Sequence, residues 1–311
     1  MSEISAPKQI KIATRKSKLA IWQSEFVAEQ LRKILPDTEI TLIELSTRGD
    51  EILNQPLAKI GGKGLFIKEL ETAILDARAD IAVHSMKDVA ADLPEEFEIA
   101  AILHRHDPRD CLLSENFSNL KEIPTGGKIG TCSLRRRMQL AALRKDLQIL
   151  DLRGNINTRI KKMLDGEFDA ILLATAGVER LNICEIKEKF AFEDFLPAAG
   201  QGAIGIEIAK NSPLLPLIQK LGDKNTAICV QAERNIAKIL NASCQIPLAA
   251  YAEILPEEKM QLRAKIGYPD GEKICFFQGT ANVRDWKQLS EEAADELIKQ
   301  GAREILEKLS S

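Results

Sequence analysis

Apolar and polar residues alternate along "QIKIAT" (9–14), which predicts a strand. They then recur at helical spacing through "SKLAIWQSEFVAEQLRKIL" (17–35), with Ser17 placed to cap the helix. "EITLIELS" (39–46) predicts a second strand, "GLFIKELETAILDA" (64–77) a helix and "DIAVHS" (80–85) a buried strand, the grammar of a mostly parallel α/β sheet. The pattern restarts after "HRHDPRD" (104–110): strand at "KIGTCS" (128–133), helix at "LRRRMQLAALR" (134–144), strand at "LQILDL" (147–152), helix at "NTRIKKMLDG" (157–166), strand at "DAILLAT" (169–175). "LPAAGQGAIGIEIA" (196–209) then leads into an alternating strand that crosses back toward the first sheet.

From about residue 225 the pattern changes to one helix (226–240), three strands ("LAAYAEIL", "MQLRAKIGY", "KICFFQGTA") and a single final helix over 295–309, with "YPDGE" as a hairpin turn. The expected organisation is therefore α/β: domain 1 at 8–103 and 202–220, domain 2 at 108–198, and an α+β domain 3 with an antiparallel three-stranded sheet at 224–311.

At 311 residues the chain is long enough for two or three cores. It offers no run of eighteen uncharged apolar residues and no apolar leader, so a protein that neither spans a membrane nor is secreted is expected. The six cysteines (Cys111, Cys132, Cys184, Cys229, Cys244 and Cys275) lie far apart without a C-x-x-C pair, which fits a reducing cytoplasm. His84, His104 and His106 lack metal-site spacing, and no metal is expected. The net charge of −3 hides an asymmetry. Between Lys128 and Lys162 ten Lys/Arg face only Asp146 and Asp151, leaving 33 basic and 44 acidic residues elsewhere. Such a segment on an acidic body predicts an anionic partner, and only two Trp and two Tyr, with no stacking motif, argue against nucleic acid.

Candidate chemistry collects at strand ends. "GQGAIG" (200–205) matches a dinucleotide fingerprint, but the residues after it alternate like a strand instead of opening a helix. "GGKG" (61–64) lacks P-loop spacing and reads as a glycine loop carrying Lys63. "VHSMKDVA" presents Ser85, Lys87 and Asp88 beyond a buried strand, where α/β folds bind ligands; Asp88 is either a site carboxylate or a turn cap. "TCSLRRR" places Thr131 and Ser133 at a strand end and three arginines at a helix start, where they oppose the helix dipole unless an anion joins them. A solvated charged face is the alternative. "LRGNINTR" adds Arg153 and Arg159. Cys244 sits between a helix end at Asn241 and a strand opening at Pro247, either a small buried apolar residue or a reactive thiol.

Together "IATRKSKLAIWQ", "STRGD", "GGKGLFIKELE", "DIAVHSMKDV", "GTCSLRRRMQL", "LRGNINTR", "GQGAIGIE" and "CQIPLAAYAE", in order along nearly the whole chain, resemble the porphobilinogen deaminase family. The resemblance implies two lobes similar to type II periplasmic binding proteins joined by a hinge, a third domain, and a cytoplasmic monomer that joins four porphobilinogen units with release of ammonia. It implies a dipyrromethane cofactor held as a thioether by Cys244. Asp88 maps onto the catalytic carboxylate. Lys63, Ser85, Lys87, Thr131, Ser133, Arg135, Arg136 and Gly202 map onto cofactor contacts, and Arg15, Ser17, Gln23, Arg153, Arg159, Arg180 and Gln201 onto substrate contacts. Ala90, Cys132 and Ser243 depart from the usual proline, serine and glycine without removing a reacting group. A non-catalytic two-lobed module for small anions is the competing expectation.

Overall fold

The computed structural model describes residues 7–47, 67–242 and 246–310. The first sheet contains β1 (Gln9–Arg15), β2 (Glu39–Leu45), β3 (Ile81–Ser85), β4 (Phe97–Ile102) and, after the chain has built a second sheet, β10 (Ile204–Ala209), in the order β2-β1-β3-β10-β4. Period two sorts its side chains. Ile10, Ile12, Ile81 and Val83 pack with Ile204, Ile206 and Ile208 on the face covered by α1 (Lys18–Ile34), whose Val27, Ala28 and Leu31 supply the apolar stripe. Ala13 and Ala82 pack on the opposite face against Leu70, Ala73 and Ile74 of α2 (Lys68–Leu75). Ser17 caps α1 as expected, accepting from Ala20 N at 3.3 Å.

Four of the five strands run the same way, as the βαβ grammar predicts, and β10 alone is reversed. β1 runs parallel to β2 and β3, but β10 is antiparallel to both β3 and β4. The reason is its late arrival: β10 enters from the far end after the second sheet is complete, with no crossover helix to reverse it.

The second sheet repeats this design. β5 (Asp110–Leu113), β6 (Lys128–Gly130), β7 (Gln148–Leu150), β8 (Ala170–Ala174) and β9 (Glu188–Lys189) are ordered β7-β6-β8-β5-β9, with β5 antiparallel to its neighbours. α3 (Leu134–Leu143) packs on one face through Leu140, and α4 (Ile156–Leu164) and α5 (Thr175–Leu181) pack on the other through Ile160, Met163 and Val178.

After a short α6 (Leu215–Ile218) and α7 (Lys224–Ile239), β11 (Leu248–Leu255), β12 (Lys259–Gly267) and β13 (Ile274–Asn282) form the expected antiparallel sheet. The single final helix is instead two, α8 (Trp286–Lys299) and α9 (Ala302–Ser310), because Gly301 adopts φ +103°, a left-handed conformation that ends α8 and lets α9 fold back on the core.

Contacts divide the chain into two compact units, 1–104 with 203–227 and 105–202 with 228–311. The third sheet thus has its own core but shares the second unit with the second sheet. A polar knot holds them. Glu233, fully buried in α7, accepts from Arg105 Nη1 (2.6 Å) and Nη2 (3.1 Å), from Gly200 N (2.7 Å) and from Ala252 N of β11 (2.8 Å). Beside it Arg263 lies over the stacked rings of Phe192 and Tyr251 and pairs with Glu253.

Candidate active site and arginine cluster

In the first unit, β1 ends at Arg15, α1 begins after Ser17, and β3 runs into a single tight turn, Met86–Asp88; Arg15, Ser17, Gln23, Ser85 and Asp88 line one pocket there. The turn is braced on every side. Ser85 and Gln23, the latter 3% exposed, exchange hydrogen bonds of 2.8 and 3.2 Å. The Met86 amide donates to Ala203 O at 3.0 Å. On the opposite face His84 Nε2 meets Glu207 of β10 at 2.7 Å, both side chains buried. Within this frame Lys87 is half-buried and Asp88 is exposed. The Ser85 side chain makes no capping bond to this turn.

β10 contributes by what it lacks. A Cβ on Gly205 would lie 2.2 Å from Met86 Sδ, so any larger residue there must displace the buried Met86 side chain. Gly205→Ala is expected to push Met86 and its turn outward, costing about 1–3 kcal/mol as overpacking does. Chemical denaturation and porphobilinogen turnover check it together. A stable variant with normal turnover would show that Met86 yields freely.

In the second unit the arginines of "LRRR" are not a solvated face. Ser133 caps α3, accepting from Arg136 N, and Thr131 Oγ1 accepts from Ser133 N. Arg135 and Arg136 are 5% and 6% exposed and converge on Asp110, itself 0% exposed at the start of β5. Arg135 Nη1 donates to Asp110 Oδ2 (2.6 Å) and Leu196 O (2.7 Å). Arg136 donates from Nε and Nη2 to Asp110 Oδ1 (3.0 and 2.8 Å) and from Nη1 to Leu172 O (2.9 Å). Gln201 Nε2 is the fourth nitrogen to donate to the Asp110 carboxylate, meeting Oδ1 at 3.0 Å. These partners hold the Asp110 carboxyl far below the ordinary carboxylate range despite its burial. Arg137 pairs with Asp151 at 2.8 Å. The anions that offset the helix dipole therefore include two from the chain itself.

The other sequence candidates occupy varied places. Arg153 is half-buried, and Arg159 donates through Nε to Gly154 O (2.7 Å). Arg180, lowered to about 10 by burial, donates to Gly202 O at 2.8 Å, and Gln201 also donates to Pro108 O at 2.7 Å. The strand after "GQGAIG" is β10, as its alternation predicts, and no helix N-terminus awaits a pyrophosphate. Lys63 and Cys244 lie outside the described residues, although Asn241, just before Cys244, ends α7 in a left-handed conformation.

Asp110, Glu207 and Glu233 escape the sequence reading. Glu233 leaves a faint signal, standing in the stripe of α7 that carries Cys229, Val230 and Ile236, where a solvated carboxylate has no place. Asp110, 25 residues before its arginine, leaves none.

Residues 10–215 match the family described as porphobilinogen deaminase, dipyromethane cofactor binding domain, and residues 227–306 match porphobilinogen deaminase, C-terminal domain. The porphobilinogen deaminase of Dichelobacter nodosus is 48% identical over 298 residues, 96% of this chain and 97% of that protein. Among solved structures, the periplasmic VFT2 domain of BvgS from Bordetella pertussis has 12% identity and a TM-score of 0.43, covering 69% of this chain and 86% of its own. The periplasmic aliphatic sulphonate binding protein of Escherichia coli has 12% identity and a TM-score of 0.39, covering 76% and 72%. With both of its parts matched and a relative near half identical along almost its full length, the chain belongs to the porphobilinogen deaminase family.

Proposed function

We propose that Cys244 carries the family's dipyrromethane as a thioether, that Asp88 is the catalytic carboxylate, and that the candidate basic and polar residues hold the pyrrole acetates and propionates. Family membership makes the chain an enzyme that polymerises porphobilinogen in tetrapyrrole synthesis, in place of the receptor reading. The exposed carboxylate of Asp88 on a turn braced by Gln23, Glu207 and β10 is the observation that carries its role. Departure of ammonia from porphobilinogen leaves a cation delocalised over a pyrrole and its methylene. A carboxylate fixed before that charge develops stabilises the transition state without reorganising. Arg15, Ser17 and Gln23 border the same pocket and orient the ring through its carboxylates. Bound at Cys244, the cofactor supplies the pyrrole carbon from which the chain grows.

The residues fit such a group. A dipyrromethane brings four carboxylates, and the buried arginine pair of the second unit holds two positive charges against one aspartate. Lys63, Ser85, Lys87, Thr131, Ser133 and Gly202 belong to the same proposed set for the cofactor, and Arg153, Arg159, Arg180 and Gln201 to that for the substrate. No helix among the described residues is long and apolar enough to cross a membrane. A cytoplasmic monomer completes the proposal.

Intact mass spectrometry tests the attachment. Native protein is expected to exceed its sequence mass by two linked pyrrole units, and Cys244→Ser protein to match its own. Unmodified native protein that still turns over porphobilinogen would overturn the assignment.

A further inference from the structure

We infer that Asp110 is a positioning residue for the reaction: it holds Arg135 by one edge of its guanidinium and so presents the other edge to a single pyrrole carboxylate. This rests on the reading that Arg135 meets such a carboxylate.

Three observations lead there. The first is charge. Asp110, Arg135 and Arg136 are each at most 7% exposed at the side chain and together carry one surplus positive charge. Burial drives the Arg135 guanidinium down against the pull of Asp110, and Arg136 adds to the effect. A desolvated cluster one negative charge short favours one anion.

The second is the unequal use of the two guanidiniums. All three nitrogens of Arg136 donate within the protein, to Asp110 and Leu172 O. Arg135 donates from Nη1 alone, and among the described residues its Nε and Nη2 make no hydrogen bond. Those two nitrogens form the fork that grips a carboxylate with two parallel bonds.

The third is the rigidity of the mount. Arg135 Nη1 also donates to Leu196 O, and Gln139, one turn further along α3, fixes Leu196 by accepting from its amide (2.7 Å) and donating to its carbonyl (2.9 Å). Gln201 anchors the Asp110 carboxylate from the other side. A side chain with four rotatable bonds is thus held in one place before any ligand arrives, which lowers the ordering cost of binding.

The test compares Asp110→Asn, Asp110→Glu and Arg135→Lys with wild type in full-length chains produced without porphobilinogen, reading by intact mass how adduct formation depends on added porphobilinogen. Asp110→Glu keeps the charge but displaces the carboxylate, and the half-saturating concentration is expected to rise about tenfold, as for loss of one charge-assisted fork. A merely structural Asp110 would lower the plateau, through a smaller folded fraction, and leave half-saturation unmoved. Asp110→Asn separates charge from position. It makes the cluster more positive, so a purely electrostatic role tightens binding, whereas loss of positioning weakens it. Tighter binding in Asp110→Asn, or unchanged half-saturation in Asp110→Glu beside a weakened Arg135→Lys, overturns the inference. Unchanged behaviour of Arg135→Lys overturns the underlying reading, and the inference with it. Should neither Asp110 variant fold, nitrogen-edited NMR of the wild-type chain decides. The Arg135 Nε–H signal is expected to shift on loading with porphobilinogen while that of Arg136, already on Asp110, stays. No shift at Arg135, or equal shifts at both, overturns it.

Discussion

Asp88→Asn protein, reconstituted with preformed cofactor, is expected to convert porphobilinogen on the order of a hundred times more slowly than wild type in a single turnover, while its melting temperature hardly moves. Asparagine keeps the size and hydrogen-bonding ability of the side chain and removes only its charge, so the loss measures electrostatic stabilisation of the cation left by ammonia. The structure separates this outcome from a stability effect. Asp88 is exposed, where removal of one charge has little effect on stability. The turn is held instead by Ser85, His84 and the Met86 amide, which the substitution leaves untouched. Preformed cofactor keeps the chemical step apart from cofactor assembly. A rate above about a third of wild type would move the catalytic carboxylate elsewhere, because a missing electrostatic stabiliser removes far more than that.

The largest stability loss is expected at Glu233. Its carboxylate takes both terminal nitrogens of Arg105 and the amides of Gly200 and Ala252, and its side chain is 0% exposed against 10% for Arg105. Glu233→Ala removes the carboxylate that takes both terminal nitrogens of the buried Arg105, whose Nε still donates to Gln201 O, and the acceptor of two amides, at a cost of about 3–5 kcal/mol. For a unit of this size that lowers the melting temperature by roughly 6–20 °C. Glu233→Gln keeps the volume and some acceptors, and its loss is expected to be smaller. Scanning calorimetry on both variants checks the order. A shift below about 2 °C in Glu233→Ala would mean that water replaces the carboxylate without penalty. Residues 105 and 200–201 border two of the chain's passages between units, so partial unfolding there is also expected to expose them to proteolysis before the first sheet is cut.

Strand and helix positions were legible in the sequence wherever the period was long and clean. α1 has its cap, its apolar stripe and its stop within twenty residues, and β1, β3, β8 and the three strands of the last sheet follow their alternation or apolar runs. β4, β5 and β9 were not legible. β5 is four wholly buried residues and β9 only two, too short for a period to show. The break at Gly301 is a single dihedral inside an otherwise helical pattern, and the packing of α9 on the last core selects it.

The candidate site divides along the same line. The blocks "DIAVHSMKDV", "TCSLRRR" and "SCQIP" point to a chemistry because the proposed reacting groups and their immediate flanks are contiguous in the sequence. By itself the sequence therefore determined the longer, cleanly periodic elements and their order, the family, and the residues proposed to react. Only the tertiary structure decided how those residues are held: Asp110 between Arg135 and Arg136, Glu207 behind His84 across 123 residues, Glu233 on Arg105 across 128, and a Cβ-less Gly205 beneath Met86. Hydrophobic periodicity is written in neighbours two to four residues apart, so a sequence displays it directly. A buried ion pair is selected only when folding removes water from two distant groups together, and before that each one reads as an ordinary charged residue.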